Sequence, residues 1–213
     1  MIRTQFNLDQ SLQNLRNLAE KSEYRDGYHL GLNSKDFDKY DLAIEKEFGE
    51  MIYASVLTVK PDKILELGTA NGYSTCWFLL GLIKNGKGEL ITIDSTDRRP
   101  KIWEILDIPS TRMTLFYKNT KDFAKTFQEK VDMVLFDTEH RIESVIGDIV
   151  MVQPFLNRGA ALFIHDTFAN PDMGKQLKDY LEGTNKYSYT SIDKSCGMGL
   201  ATYLGETNAG DGR

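Results

Sequence analysis

The stretch Lys63-Ile64-Leu65-Glu66-Leu67-Gly68-Thr69-Ala70-Asn71-Gly72-Tyr73-Ser74-Thr75 constrains the fold more than any other part of the chain. It reads as a buried strand, a glycine-containing turn and the start of a helix. Glu66 lies near the C-terminal end of the strand, the end at which open α/β sheets bind their ligands. Gly68 and Gly72 allow a sharp turn and a close approach of backbone to a ligand. Ser74 and the free N–H groups of the new helix border the same turn.

The βα pattern repeats downstream. Apolar runs at Ile64–Leu67, Leu90–Ile93, Met113–Tyr117, Val131–Phe136 and Ala160–Ile164 predict strands. Helices are expected between them, over Ser74 to Lys84, Arg99 to Leu106, Lys121 to Lys130 and Ile142 to Leu156. Such alternation predicts a parallel sheet with right-handed crossovers. The C-terminal part reads differently. A helix over Asp172 to Leu181 precedes two alternating runs, Tyr187–Ile192 and Gly199–Leu204, joined by the turn-like Asp193-Lys194-Ser195-Cys196-Gly197.

Ahead of Lys63, Leu8, Leu12, Leu15 and Leu18-Ala19 recur at helical spacing. A polar stretch from Ser22 to Lys39 carries Tyr24, Tyr28, His29 and Phe37. A second helix is expected from Asp38 to Val59, with Leu42, Phe48, Ile52, Val56 and Leu57 inward, and Pro61-Asp62 stops it. The chain divides on this reading into an N-terminal helical segment, 1–60, on the substrate side, an α/β domain, 61–205, and a polar tail, 206–213.

A length of 213 residues suits one α/β domain with a full core and a short appendage. With 41% hydrophobic and 27% charged residues the chain is globular. No apolar run reaches membrane-spanning length, and residues 1–7 lack a signal-peptide core, so no membrane partner and a cytoplasmic location are the expectation. Cys76 and Cys196 do not make a disulfide framework. A net charge of −5 argues against a broad nucleic-acid surface. Self-association into a homo-oligomer is left open.

Spacing decides among ligands. A dinucleotide fingerprint needs glycines at offsets 0, 2 and 5, where this chain has Gly68, Ala70 and Tyr73. That disfavours a nicotinamide-dependent oxidoreductase. A phosphate loop needs Gly-Lys-Ser/Thr, but here the turn ends Gly72-Tyr73-Ser74. An acidic residue, a glycine, three residues and a second glycine remain. This pattern resembles motif I of the class I S-adenosylmethionine-dependent methyltransferases. Glu66 is electrostatically suited to a ligand carrying an ammonium and a sulfonium. Asp94 ends the second strand, where a carboxylate can accept two ribose hydroxyls; aspartate is also a strong helix cap. Asn119 and Thr120 follow the third strand and read equally as adenine contacts or as helix caps.

Two further strand ends carry chemistry. Val134-Leu135-Phe136-Asp137-Thr138-Glu139-His140 and Ala161-Leu162-Phe163-Ile164-His165-Asp166-Thr167 each run from an apolar strand into an Asp close to a His. Together with motif I they resemble a group of small O-methyltransferases that includes divalent-metal enzymes of the catechol type and macrolide-sugar enzymes. The resemblance spans about Phe48 to Leu204. It implies a Rossmann-like seven-stranded mixed sheet, five parallel strands plus a terminal antiparallel pair, flanked by helices, with the Gly199–Leu204 strand inserted antiparallel.

The resemblance further implies S-adenosylmethionine as cofactor, held by Glu66, Gly68, Thr69, Ala70, Gly72, Tyr73, Ser74, Asp94, Ser95, Asn119, Thr120 and Asp137, and a small-molecule hydroxyl as methyl acceptor. Asp137, His140 and Asp166 are the catalytic candidates. Asp137 and Asp166 are candidate ligands for Mg²⁺ or another divalent metal, although neither Thr167 nor His165 matches the third ligand of the metal-using enzymes. Without a metal, His140 serves as general base, since imidazole titrates near neutrality. His165 reads as structural, and His29 can line an acceptor pocket or lie at the surface. A degenerate cofactor-binding relative acting as an interaction protein is the competing reading from another class.

Overall fold

The computed structural model describes residues 6–20, 24–25, 28–29, 44–99, 101–168 and 172–206. Its strands are β1 (Lys63–Leu67), β2 (Glu89–Asp94), β3 (Met113–Tyr117), β4 (Val131–Phe136), β5 (Leu156–His165), β6 (Tyr187–Ile192) and β7 (Met198–Tyr203). They form one seven-stranded sheet of order β3-β2-β1-β4-β5-β7-β6. β1 to β5 are parallel, and β7 runs antiparallel between β5 and β6, as expected. This is the Rossmann-like mixed sheet that the sequence implied.

The helices are α1 (Leu8–Glu20), α2 (Lys46–Val59), α3 (Tyr73–Asn85), α4 (Ile102–Ile105), α5 (Thr120–Ala124), α6 (Ile142–Val152) and α7 (Met173–Gly183). They cover both faces of the sheet. Alternating side chains along β1 divide the core: Ile64 packs with Leu15, Ile52 and Trp77 of α1, α2 and α3, whereas Leu65 and Leu67 pack with Phe123, Val145 and Leu177 on the other face. Period-2 alternation therefore puts Glu66 on the α3 face beside Ile64. No described helix is long and apolar enough to cross a membrane.

Several boundaries differ from expectation. Helix α4 is only four residues long; Pro100 disfavours a helical backbone at Arg99. Helix α5 ends at Ala124, where Phe127 turns in to stack on Phe123 with ring centroids 4.8 Å apart. Helix α6 stops at Val152, and Gln153–Phe155 form a 3₁₀ turn around Pro154. Strand β5 begins at Leu156 rather than Ala160. Helix α2 starts at Lys46, with Ile44 and Glu45 outside it. The first part of that expected helix, residues 38–43, and the tail from 207 lie outside the described residues. Tyr24–Arg25 and Tyr28–His29 form a short antiparallel pair.

Register positions the site. Leu67 is level with Phe136, and Phe136 with Ile164. The chain thus leaves β1, β4 and β5 side by side at Gly68, Asp137 and His165-Asp166.

Candidate functional site

A cavity of about 960 Å³ opens over these strand ends. It is lined at one end by Gly68, Ala70, Asp94, Ser95 and Thr96 after β1 and β2 with Asn119 and Thr120 after β3, and at the other by Asp137, His140, His165 and Asp166 after β4 and β5; Thr138 and Asp148 also line it.

At the first end the backbone is tightly held. Gly68 has φ +98, and a Cβ there would lie 1.9 Å from the Asp137 carbonyl oxygen, so only glycine lets β1 and β4 end in contact. The Gly68 N–H donates to the Ile93 carbonyl at 2.8 Å, and the Gly72 N–H closes the turn on the Thr69 carbonyl at 2.7 Å. Ala70 sits at φ +44. Its N–H donates to Asp94 Oδ2 at 2.8 Å, while Asp94 Oδ1 accepts from the Thr96 N–H, also at 2.8 Å.

Several residues expected at the cofactor lie off the cavity lining or spend their side chains within the protein. Glu66 is fully buried under the turn on the α3 face and does not line the cavity. Its two carboxylate oxygens accept from Ser74 Oγ at 2.6 Å and Thr75 Oγ1 at 2.7 Å. Burial pushes its pKa up to about 7 against these hydrogen bonds. Glu66 and Ser74 therefore tie the strand to the helix. Gly72 has φ +87, but the space its Cβ would enter belongs to the Trp103 ring, 2.1 Å away, not to the cavity. Tyr73 and Thr69 are likewise buried outside the lining; Thr69 Oγ1 lies 2.6 Å from Thr92 Oγ1. Asn119 lines the cavity but uses its side chain as the α5 cap, accepting from the Asp122 N–H at 2.9 Å.

The other end gathers ionisable groups. His165 is enclosed, its side chain 1% exposed. Its Nε2 lies 3.0 Å from Glu45 Oε2, and its Nδ1 lies 3.3 Å from Asp137 Oδ1 and 3.4 Å from Asp166 Oδ1. Phe48 packs edge-on against the ring. Burial pushes the His165 pKa down, but Asp137, Asp166 and Glu45 outweigh it and hold the value well above the ordinary one. With acceptors on both nitrogens, His165 is a buried imidazolium. Glu45 Oε1 also accepts from the Cys196 N–H at 3.0 Å. Burial would raise the Glu45 pKa, yet His165 and these hydrogen bonds draw it down to about 2.

His140 is the exposed member, its side chain 58% accessible, and its Nδ1 contacts Asp166 Oδ2. That contact raises the His140 pKa. Burial would lift the Asp166 carboxyl, but the two histidines hold it far below the usual carboxylate range. Asp166 occupies the left-handed region at φ 58, which aspartate tolerates better than most residues. Asp137 Oδ2 is buried and has no hydrogen-bond partner among the described residues. One donor atom from each of Asp137, His140 and Asp166 falls within a 4.8 Å cluster.

Asp137, His140 and Asp166 thus come together at one end of the cavity. Thr167 is buried outside the lining. The side chain of His29 is outside the described residues. Sequence reasoning missed Glu45, which lies 120 residues from its partner His165 and belongs to no motif. It also missed the donor-set role of His140, which its Asp-x-x-His spacing from Asp137 would have allowed.

Residues 65–167 match the family model described as a methyltransferase domain. No curated protein matches the chain. Among solved structures, the O-methyltransferase TomG of Streptomyces achromogenes, involved in tomaymycin synthesis and solved with S-adenosylmethionine, superposes with a TM-score of 0.65 at 18% identity over 96% of this chain and 93% of its own. An O-methyltransferase of Bacillus cereus in complex with S-adenosylhomocysteine gives 0.64 at 14% identity over 95% and 93%. A methyltransferase of Podospora anserina bound to S-adenosylhomocysteine gives 0.62 at 14% identity over 94% and 97%. These likenesses show the fold.

Proposed function

We propose that this chain, whose residues 65–167 match a methyltransferase-domain model, transfers a methyl group from S-adenosylmethionine to a hydroxyl of a small molecule. The observation that carries the reading is the continuous cavity. It joins the Gly68–Ala70 turn and Asp94 to the Asp137–His140–Asp166 cluster, so a bound cofactor and an acceptor would meet at the acidic end. The solved O-methyltransferases of the same fold with S-adenosylmethionine or S-adenosylhomocysteine support it. The acceptor is a small molecule.

The chemistry is an in-line transfer, in which the protein aligns the acceptor oxygen and excludes water. His140 supplies the base. Its Nδ1 is committed to Asp166, which fixes the neutral tautomer with the lone pair on Nε2. The acceptor hydroxyl gives its proton to Nε2 as the oxygen attacks the methyl carbon and the carbon–sulfur bond breaks, leaving S-adenosylhomocysteine and an imidazolium paired with Asp166. Asp137 lies where the sulfonium charge would be, and the buried His165 imidazolium holds Asp137 and Asp166 in place.

A second reading has one specific observation behind it. The orphaned Asp137 Oδ2 and the compact donor cluster fit a divalent metal held by Asp137, His140 and Asp166. Two carboxylates and an imidazole suit Mn²⁺, Fe²⁺ or Zn²⁺ better than Mg²⁺. Such a metal would supply Lewis acidity to the acceptor oxygen.

S-adenosylhomocysteine at a hundred times its Kd should stabilise the protein by about 2.7 kcal/mol, and NAD(P)H should not. Absence of that shift would remove the cofactor reading and leave an interaction protein. Turnover that survives a chelator and rises with pH through the elevated His140 pKa supports the base; loss restored by Mn²⁺ supports the metal.

A further inference from the structure

Lys101 does not line the cavity and has no part in the chemistry above, yet it is completely buried. A lysine is seldom enclosed without a partner that offsets the lost hydration of its ammonium. Its Nζ donates to the Ala70 carbonyl at 2.9 Å. The same atom lies 5.5 Å from the Trp103 ring centroid and 5.8 Å from that of Tyr117, with Asp97 Oδ1 3.9 Å away. The ammonium therefore sits in a box of two aromatic rings, a carbonyl and a carboxylate.

What it holds is the strained part of the glycine turn. Ala70 is a non-glycine residue at positive φ, a conformation that persists only when its surroundings enforce it. Asp94 Oδ2 takes its N–H, and Lys101 takes its carbonyl. The next carbonyl, that of Asn71, accepts from the Ile102 N–H at 2.9 Å. Trp103 fills the space beside Gly72. Residues 101–103 thus grip residues 70–72 one after another. Without Nζ, the Ala70 carbonyl loses its side-chain restraint, and the strained conformation of Ala70 keeps on this residue only the bond from its N–H to Asp94.

We propose that Lys101 is a positioning residue for cofactor binding: its ammonium pins the Ala70 carbonyl so that the 68–72 turn and Asp94 keep the shape that receives the adenosyl moiety. The inference rests on the S-adenosylmethionine reading. It acts on affinity for the cofactor and not on the transfer step, because the partners described for Lys101 are Ala70, Asp97, Trp103 and Tyr117, away from His140.

The test is Lys101→Met, with S-adenosylhomocysteine binding measured by calorimetry and steady-state kinetics run over both substrates. Loss of a hydrogen bond from a charged donor should raise the Kd for S-adenosylhomocysteine and the KM for S-adenosylmethionine by about 10- to 100-fold. At saturating cofactor, kcat and the acceptor KM should stay within about twofold, a split that general destabilisation would not give. Equal affinity in wild type and variant overturns the proposal, as does a fall in kcat with cofactor affinity unchanged. Failure of wild type to bind S-adenosylhomocysteine overturns the cofactor reading and this inference with it. If Lys101→Met does not fold, Tyr117→Leu decides, since Tyr117 is exposed and forms one wall of the box. It should weaken cofactor binding about threefold, and unchanged affinity there overturns the proposal.

Discussion

The two ends of the cavity are built from similar residues and use them in opposite ways. At the glycine turn, Glu66, Asp94 and Lys101 hold backbone and hydroxyl groups of the protein itself. At the ends of β4 and β5, Asp137, Asp166, His165 and Glu45 hold one another, while His140 faces the opening and Asp137 Oδ2 keeps an unused lone pair. The difference teaches that a charged residue in a motif does not identify itself as a ligand contact. What matters is whether its hydrogen-bonding capacity is exhausted inside the protein. By that measure the glycine turn is satisfied from within the protein, and the acid–histidine end keeps unused hydrogen-bonding capacity.

The comparison can be broken most easily at His140. His140→Ala should lower kcat by about 10²–10⁴-fold and leave S-adenosylhomocysteine affinity unchanged, as read by single-turnover kinetics and calorimetry. A variant with full activity would make the acid–histidine end a structural cluster like the other.

Glu45→Gln sharpens the same contrast from behind the site. It removes one carboxylate from the enclosed His165, which retains Asp137 and Asp166. Breaking a buried pair costs roughly 3–5 kcal/mol, and the remaining partners place the expected loss at about 3 kcal/mol in urea unfolding at pH 6. The wild-type contribution has a defined window. Glu45 has its pKa lowered to about 2, so its stabilisation is present above the unfolded value and is lost as pH falls through about 2. His165 has a raised pKa, so its share is present below the unfolded histidine value and is lost as pH rises through the folded one. A Glu45→Gln protein as stable as wild type at pH 6 would show that the latch contributes nothing.

The smallest effect belongs to the turn. Glu66 has its pKa raised to about 7, so the stability it lends is fully present below the unfolded carboxylate value and is lost as pH rises from about 4.5 to about 7. Glu66→Gln should abolish that slope, worth on the order of 2 kcal/mol, while still accepting from Ser74 or Thr75. A slope that persists in the variant would place its origin elsewhere.

Much of this molecule was legible before any coordinates. The strand runs of residues 63–167 gave the parallel sheet because a strand buried on both faces leaves a continuous apolar run. The motif after β1, with the Asp-and-His endings of β4 and β5, falls at the edge of the sheet over which the cavity opens. Boundaries slipped where proline or aromatic packing intervened, at Pro100, Phe127 and Pro154. That Glu66 and Gly72 lie off the cavity lining was not legible, because a motif states residue types and not the face on which each side chain falls.

The amino-acid order alone determined the element types, the glycines at 68 and 72, and the set of acids and histidines available at the strand ends, since these follow from local backbone freedom and periodicity. Only the tertiary structure decided which of those groups remain unsatisfied. Burial, the pairing of His165 with Glu45 across 120 residues, and the enclosure of Lys101 between Trp103 and Tyr117 are long-range facts. The electrostatics of the site depends on them because a charge in a low-dielectric interior is governed by the few groups packed against it.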